Sequence, residues 1–256
     1  MLDSEEPGGL DEVKARTWFY EFELPDGSHT RADIPREVLH IHTSRRDKLR
    51  AVIEAHVGPG HRARAIDFAS HEGYFSVELA KHFASVTGLE IRQQSIDSSR
   101  LITSALGIGN VDYRQADLQT LPVENDIEPA DFVLIYGLLY HVENPIHVLR
   151  LASRLCREHI LIETQVSTFD LSGKIEDGHY RWQRDIEGLF ILAPDYPFAR
   201  EGGSTTLALI PSLNTLTFLL RHFGFETVEV LPSDPTDYEQ FSRGSRVVMH
   251  GRRSKA

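Results

Sequence analysis

Cysteine is almost absent from the 256 residues: Cys156 is the one thiol. An intrachain disulfide framework and a cysteine-based zinc site are thereby excluded. Cys156 lies in LRLASRLCREH, which reads as a helix, and a buried structural thiol suits it better than a nucleophile. Positive charge is also short: 27 Lys and Arg against 38 Asp and Glu give a net charge of −11. That balance argues against a general nucleic-acid footprint, although a local basic patch is compatible with it. No apolar run is long enough to span a bilayer. The first residues, MLDSEEPGGLDEVK, are acidic and lack the apolar segment of a signal peptide. The expectation is a soluble cytoplasmic protein with no membrane partner. Apolar residues are plentiful: at 41% hydrophobic, the chain can bury the core of one α/β domain with additions.

The stretch ARAIDFASHEGYFSVELAKHFASVTGLEIR, residues 63–92, organises the rest. Ala65 to Ala69 is a short apolar run containing Asp67, and Ser70 to Gly73 is turn-like. From there the period becomes helical, with Phe75, Leu79 and Phe83 at i, i+4 and i+8. Ser85 to Leu89 returns to strand and Glu90 closes it. A βαβ unit with a turn after its first strand and an acid after its second has the layout of a nucleoside-binding crevice. The turn admits a ligand to the backbone, and the acid can accept hydrogen bonds from a ribose diol.

The run Asp67-Phe68-Ala69-Ser70-His71-Glu72-Gly73 resembles motif I of class I S-adenosylmethionine (SAM) methyltransferases, whose common form is Asp-x-Gly-x-Gly-x-Gly. Ala69 and His71 replace two glycines and Gly73 is retained. These departures argue against a dinucleotide, whose pyrophosphate needs bare backbone there. The resemblance implies SAM as cofactor, held by Asp67, Ala69, Ser70, Gly73, Tyr74 and Phe75 around the turn. It implies Glu90 and Ile91 at the ribose, Asp117 and Leu118 at the adenine, and Tyr136 and Gly137 at the methionine end. It covers residues 60–165 well and 211–250 more loosely.

Taken in order, residues 1–14 read as a mobile acidic tail. Trp18 to Leu24 followed by Pro25-Asp26-Gly27 reads as a hairpin or edge strand, and Ser44 as the cap of a helix. Gly58-Pro59-Gly60 ends an N-terminal extension of residues 1–60; residues 61–256 form the cofactor domain. Helix is expected over 94–106, strand over 111–117, 131–136 and 159–166, helix over 211–223, and strand over 225–231 and 245–250. Asn144-Pro145 opens a helix between the fourth and fifth strands. The fold class is a Rossmann-like, doubly wound, seven-stranded, mostly parallel sheet with an antiparallel edge.

Residues 167–210 do not fit the βα rhythm and form an insertion after strand five. Its His179, Tyr180, Trp182 and Arg200 suit a cap over a polar substrate; a decorative surface excursion is the alternative. The run Gly137-Leu138-Leu139-Tyr140-His141-Val142-Glu143-Asn144-Pro145 is similar to one in a methyltransferase subgroup that includes tRNA wobble-uridine carboxymethyltransferases. His141, with Tyr140 beside it, is the catalytic candidate, because imidazole titrates near neutrality. A structural brace reads His141 equally well. His40 and His42 have a spacing that suits a metal on a strand, but no third ligand is placed, and no metal is expected. Arg45-Arg46-x-Lys48-x-Arg50 is an anion-binding run or a solvated helix face. The reading is SAM-dependent methyl transfer to a small-molecule acceptor. A tRNA-modifying (carboxy)methyltransferase and a non-catalytic SAM or nucleotide binder are the alternatives, and a homodimer is compatible with all three.

Overall fold

A computed structural model describes residues 9–57, 63–177, 182–196 and 202–254. Contacts divide the chain into two units. One holds residues 1–118, 130–134 and 236–238, and the other holds 119–129, 135–235 and 239–256.

The first unit opens with α1 (Leu10–Ala15), where Val13 is fully buried. Helix, not a mobile tail, therefore occupies residues 10–14. Two-residue strands β1 (Thr17–Trp18) and β2 (Arg31–Ala32) pair in parallel. The expected hairpin reduces to a turn around Gly27 and one bridge between Glu23 and His29. Packing explains the loss. Trp18, Tyr20, Phe22 and Leu24 alternate into the core, and the Phe22 amide donates to the Thr30 hydroxyl at 2.8 Å instead of extending a ladder.

Helix α2 (Arg36–His56) begins behind Pro35, well before Ser44. Ser44 is buried inside it and accepts the Tyr238 amide at 2.9 Å, so it caps nothing in α2. The helix also separates His40, which is exposed, from His42, which is buried; two residues apart on a helix do not share a face. The strand-based metal pair is thereby removed. Two residues of the basic run have partners within the protein: Lys48 pairs with Asp237 at 2.7 Å, and Arg50 with Glu78 at 2.6 Å. Then follow β3 (Arg64–Phe68), α3 (Tyr74–Ala80), β4 (Ser85–Glu90), α4 (Gln93–Ala105), β5 (Val111–Gln115) and β6 (Ala130–Tyr136), close to the expected bounds.

The second unit continues with a 3-10 turn at Leu139–His141, α5 (Pro145–Leu155) and β7 (Cys156–Gln165). Cys156 is buried as expected, but it starts a strand instead of sitting in the helix. The insertion is not irregular. It contains β8 (Ser172–Asp177) paired antiparallel with β9 (Trp182–Glu187), and β10 (Phe190–Pro194) paired antiparallel with β11 (Leu207–Pro211). Helix α6 (Leu213–His222), β12 (Thr227–Val230), α7 (Glu239–Ser242) and β13 (Arg246–Arg252) complete the chain.

The main sheet has the order β12-β13-β7-β6-β3-β4-β5. The neighbours β3, β4 and β5 run parallel, while β13 runs antiparallel to both β7 and β12. Residue chemistry sorts the strands. β6, ADFVLIY, is apolar but for Asp131 near its start and buried along its other six residues, as a strand covered on both faces must be. The edges β5 (VDYRQ) and β12 (TVEV) carry exposed polar residues that discourage further pairing.

Helix α5 starts as its sequence dictates: Asn144 Oδ1 accepts the His147 amide at 3.1 Å and Pro145 takes the first turn, where its missing N–H is not needed. Asn144→Ala should lower stability by about 1 kcal/mol with the urea m-value unchanged. An unchanged midpoint would mean the cap is redundant.

Candidate active site

In the first unit the turn from Ala69 to Gly73 joins β3 to α3. Gly73 has φ +84°, and a side chain there would meet the Tyr113 hydroxyl and come within 3.2 Å of Ser99 Cβ. Its missing side chain therefore faces the protein, so this glycine serves both the backbone conformation and close packing. Ala69 and His71 also lie in the left-handed region, at φ 58° and 50°. They keep the conformation that glycine adopts freely, at a cost on the order of 1–2 kcal/mol each.

Two carboxylates hold this turn. Glu90, buried at the end of β4, accepts the His71 amide through Oε2 and the Arg92 amide through Oε1, both at 2.9 Å. Each oxygen has a second acceptor direction beyond those bonds. Glu72 accepts the Phe19 amide at 2.7 Å, drawing the N-terminal segment onto the turn. Tyr20 stacks on Tyr74 with ring centroids 4.9 Å apart, and Phe19 lies 5.1 Å from the His71 ring. Ser70 Oγ is buried with no hydrogen-bond partner among the described residues and lies in the space that Gly88 leaves open.

Asp67 lies beneath the turn. Its carboxyl receives the Ser76 hydroxyl at 2.6 Å. Burial pushes its pKa up to about 7, and the neighbouring Glu90 charge adds to that rise against the Ser76 bond. Phe75 is in the core, Tyr74 is half-buried, and Leu118 is buried beside Asp117 after β5. Ile91 follows Glu90 directly, half-buried, at a bend. Glu90, Ile91, Asp117 and Leu118 thus lie in the segments after β4 and β5, tied together where the Ala116 amide donates to the Glu90 carbonyl at 2.9 Å.

In the second unit, Tyr136 is buried at the end of β6 and Gly137 follows with φ 70°. The Gly137 amide donates to Glu163 Oε2 at 3.1 Å. Glu163 is fully buried on β7, and its other oxygen is 2.5 Å from Arg246 Nη1 on β13. Arg246 also donates to the Tyr140 hydroxyl at 3.3 Å and to Gln240 at 2.8 Å, with its guanidinium 4.9 Å above the Tyr140 ring. His141 Nδ1 lies 3.2 Å from each oxygen of Asp195, just past β10. Asp195, Glu163 and Arg246 are absent from the sequence reading. Only Glu163 left a signal, as a charge inside the apolar run HILIETQV. Of the expected substrate residues, His179, Tyr180 and Arg200 lie outside the described residues, and Trp182 begins β9.

Two tests follow. Unfolded Asp67 ionises near 3.8, while the folded group keeps its proton to about 7. Between those values unfolding releases a proton, so this residue's contribution to stability falls as pH rises. Wild type should lose about 2–3 kcal/mol relative to Asp67→Asn between pH 5 and pH 8, read from urea midpoints. Parallel pH curves would place an ionised Asp67 in the fold. For the buried pair, Arg246→Met strands the Glu163 charge and should cost about 3–5 kcal/mol, while Arg246→Met with Glu163→Leu should recover much of that. Equal losses in the single and double variants would mean the two charges are not coupled.

Residues 66–160 match the family described as methyltransferase domain. No curated protein matches the sequence. Among solved structures, the N-terminal domain of EvdMO1 crystallised with S-adenosylhomocysteine (SAH) is 23% identical, with a TM-score of 0.71 over 95% of this chain and 94% of that one. The match extends over 46% of the full-length EvdMO1 chain. Magnesium protoporphyrin IX methyltransferase from Synechocystis PCC 6803, with bound SAH, is 16% identical, with a TM-score of 0.56 over 87% of this chain and 90% of that one. N-methyltransferase NodS from Bradyrhizobium japonicum WM9, with SAH, is 12% identical, with a TM-score of 0.52 over 83% and 87%. The main sheet has the fold that these structures share, and residues 66–160 within it carry the match to the methyltransferase domain.

Proposed function

We propose that the protein transfers the methyl of SAM directly to a small-molecule acceptor. The observation that carries this reading is Glu90: a buried carboxylate at the end of β4, anchored by two backbone amides and retaining acceptor directions suited to a ribose diol. Bound SAM supplies a methyl already activated on a sulfonium, so the protein's task is alignment and exclusion of water. Glu90 and Ile91 take the ribose, Asp117 and Leu118 the adenine, and Tyr136 and Gly137 the methionine end. The turn from Ala69 to Gly73 carries the backbone that meets the cofactor, with Asp67, Tyr74 and Phe75 bracing it. His141 receives a proton from the acceptor, with Tyr140 beside it, and residues 167–210 cap the acceptor.

Two facts favour a small molecule over a nucleic acid. The net charge of −11 opposes a polyanion. The EvdMO1 domain, alike over 95% of this chain, was also crystallised in the presence of SAH and D-fucose. Hydroxyl-bearing sugars are therefore the first acceptors to try. The tRNA-modifying reading rests on the Leu139-Tyr140-His141 run alone.

Glu90→Ala should weaken SAM binding by about 1.5–3 kcal/mol in calorimetry while the chain stays folded. Unchanged affinity would remove Glu90 from the ribose. In parallel, methyl-labelled SAM is offered with a sugar panel including D-fucose and, separately, with total tRNA. Label in a small product supports the reading. Nuclease-sensitive label replaces it with the tRNA alternative, and SAM binding without transfer to any acceptor favours a binder.

A further inference from the structure

We infer that Asp195 is the positioning residue for His141 and that the acceptor is a hydroxyl whose proton passes to His141 Nε2. The inference rests on the reading of His141 as the acceptor-side base and names what makes it one. Asp195 meets Nδ1 with both carboxylate oxygens at 3.2 Å. The carboxylate is itself held: Oδ2 accepts the Gly203 amide at 2.8 Å, and the Asp195 amide donates to the Thr206 carbonyl at 2.8 Å. The hairpin carrying Asp195 is stitched to the His141 loop by the Leu209 amide, which donates to the Val142 carbonyl at 3.0 Å. Gly203 is required by the same contact, because a side chain there would collide with the His141 carbonyl and come within 2.7 Å of Asp195 Oδ2.

The chemistry follows from the tautomer. A carboxylate beside Nδ1 keeps the proton on that nitrogen, which leaves the lone pair on Nε2 and stabilises the imidazolium once Nε2 is protonated. Titratable and charged groups near the ring among the described residues include Tyr140, 4.2 Å away between ring centroids, and Arg246, above Tyr140. As the acceptor oxygen bonds the methyl, the carbon–sulfur bond breaks with its electron pair kept on sulfur, and the hydroxyl proton moves to Nε2. A hydroxyl gains acidity as that bond forms, so a near-neutral base suits it; an acceptor already anionic gains nothing from such a base.

The test needs no known acceptor. Full-length protein, with and without SAH, is treated with diethyl pyrocarbonate, which reacts with unprotonated imidazole nitrogen, and modification at His141 is followed by peptide mass spectrometry across pH. In wild type, reaction at His141 should rise through one ionisation. In Asp195→Asn, which keeps shape but loses charge, that ionisation should move roughly one pH unit lower. Nitrogen-15 histidine NMR, with His141→Gln to assign the signal, should show the neutral ring protonated at Nδ1. A His141 that never reacts, or one whose profile and tautomer ignore Asp195→Asn, overturns the inference. Failure of the underlying reading is separate, because calorimetry would then find no SAH binding whatever His141 does.

Discussion

A carboxylate with none of its surface exposed must be neutralised inside the protein, and Glu163 is such a group in the middle of β7. Its cation comes from the neighbouring strand. In the β7–β13 register Glu163 lies opposite Val248, and Arg246 lies opposite Gln165, so the guanidinium reaches it diagonally. One residue of slip would turn Arg246 to the other face of the sheet. The pair thus fixes the register of β13, and through Gln240 it ties down α7. Its remaining valences go to the loop that leaves β6: Glu163 accepts the Gly137 amide, and Arg246 donates to the Tyr140 hydroxyl. The path of the chain from Gly137 to His141 is therefore set by a charge pair in the sheet below it.

The first unit reaches a fixed turn by a different balance. Left-handed backbone at Ala69 and His71 is unfavourable on its own and persists because the surroundings over-determine it. The His71 amide is captured by Glu90, the next residue's carboxylate is bound to the Phe19 amide, and Tyr113 fills the space that Gly73 leaves. The aromatic segment around Tyr20 packs against the same turn. Residues 17–22 are thus part of what holds the turn, which explains why a segment rich in strand-forming residues is used for packing and forms only a two-residue strand.

What the sequence revealed follows sequence distance. The strands and helices from β3 to β7 could be read because each carries its own apolar period, and α5 its own cap in Asn144-Pro145. The start of α2 could not, because Ser44 is an apt cap in isolation and is overruled by a bond to Tyr238, 194 residues away. β8 and β9 were hidden because their cross-strand pairs, such as Lys174 with Asp185, mix charge and polarity without an apolar face, whereas β10 and β11 pair apolar residues such as Ile191 with Ile210. Glu90 and His141 were visible as titratable side chains, one at the end of β4 and one after β6. Asp195 was not, since nothing in its neighbours points to a partner 54 residues back.

That separation matters for how the His141–Asp195 pair comes into being. An isolated two-stranded hairpin is marginal in water, so β10 and β11 do not hold Asp195 in place by their own pairing. They depend on what they are fastened to: Leu209 to Val142, the Ser212 amide to the Leu189 carbonyl, and Gly203 packed against the His141 carbonyl. Ser212 works at both ends, since its hydroxyl also receives the Thr215 amide at the start of α6 and the Leu189 amide. The carboxylate that orients the imidazole is thus positioned from a helix start on one side and from the His141 loop on the other. Loosening either fastening would separate Asp195 from His141 without touching β6 or β7, so the contact can be lost while the sheet stays whole.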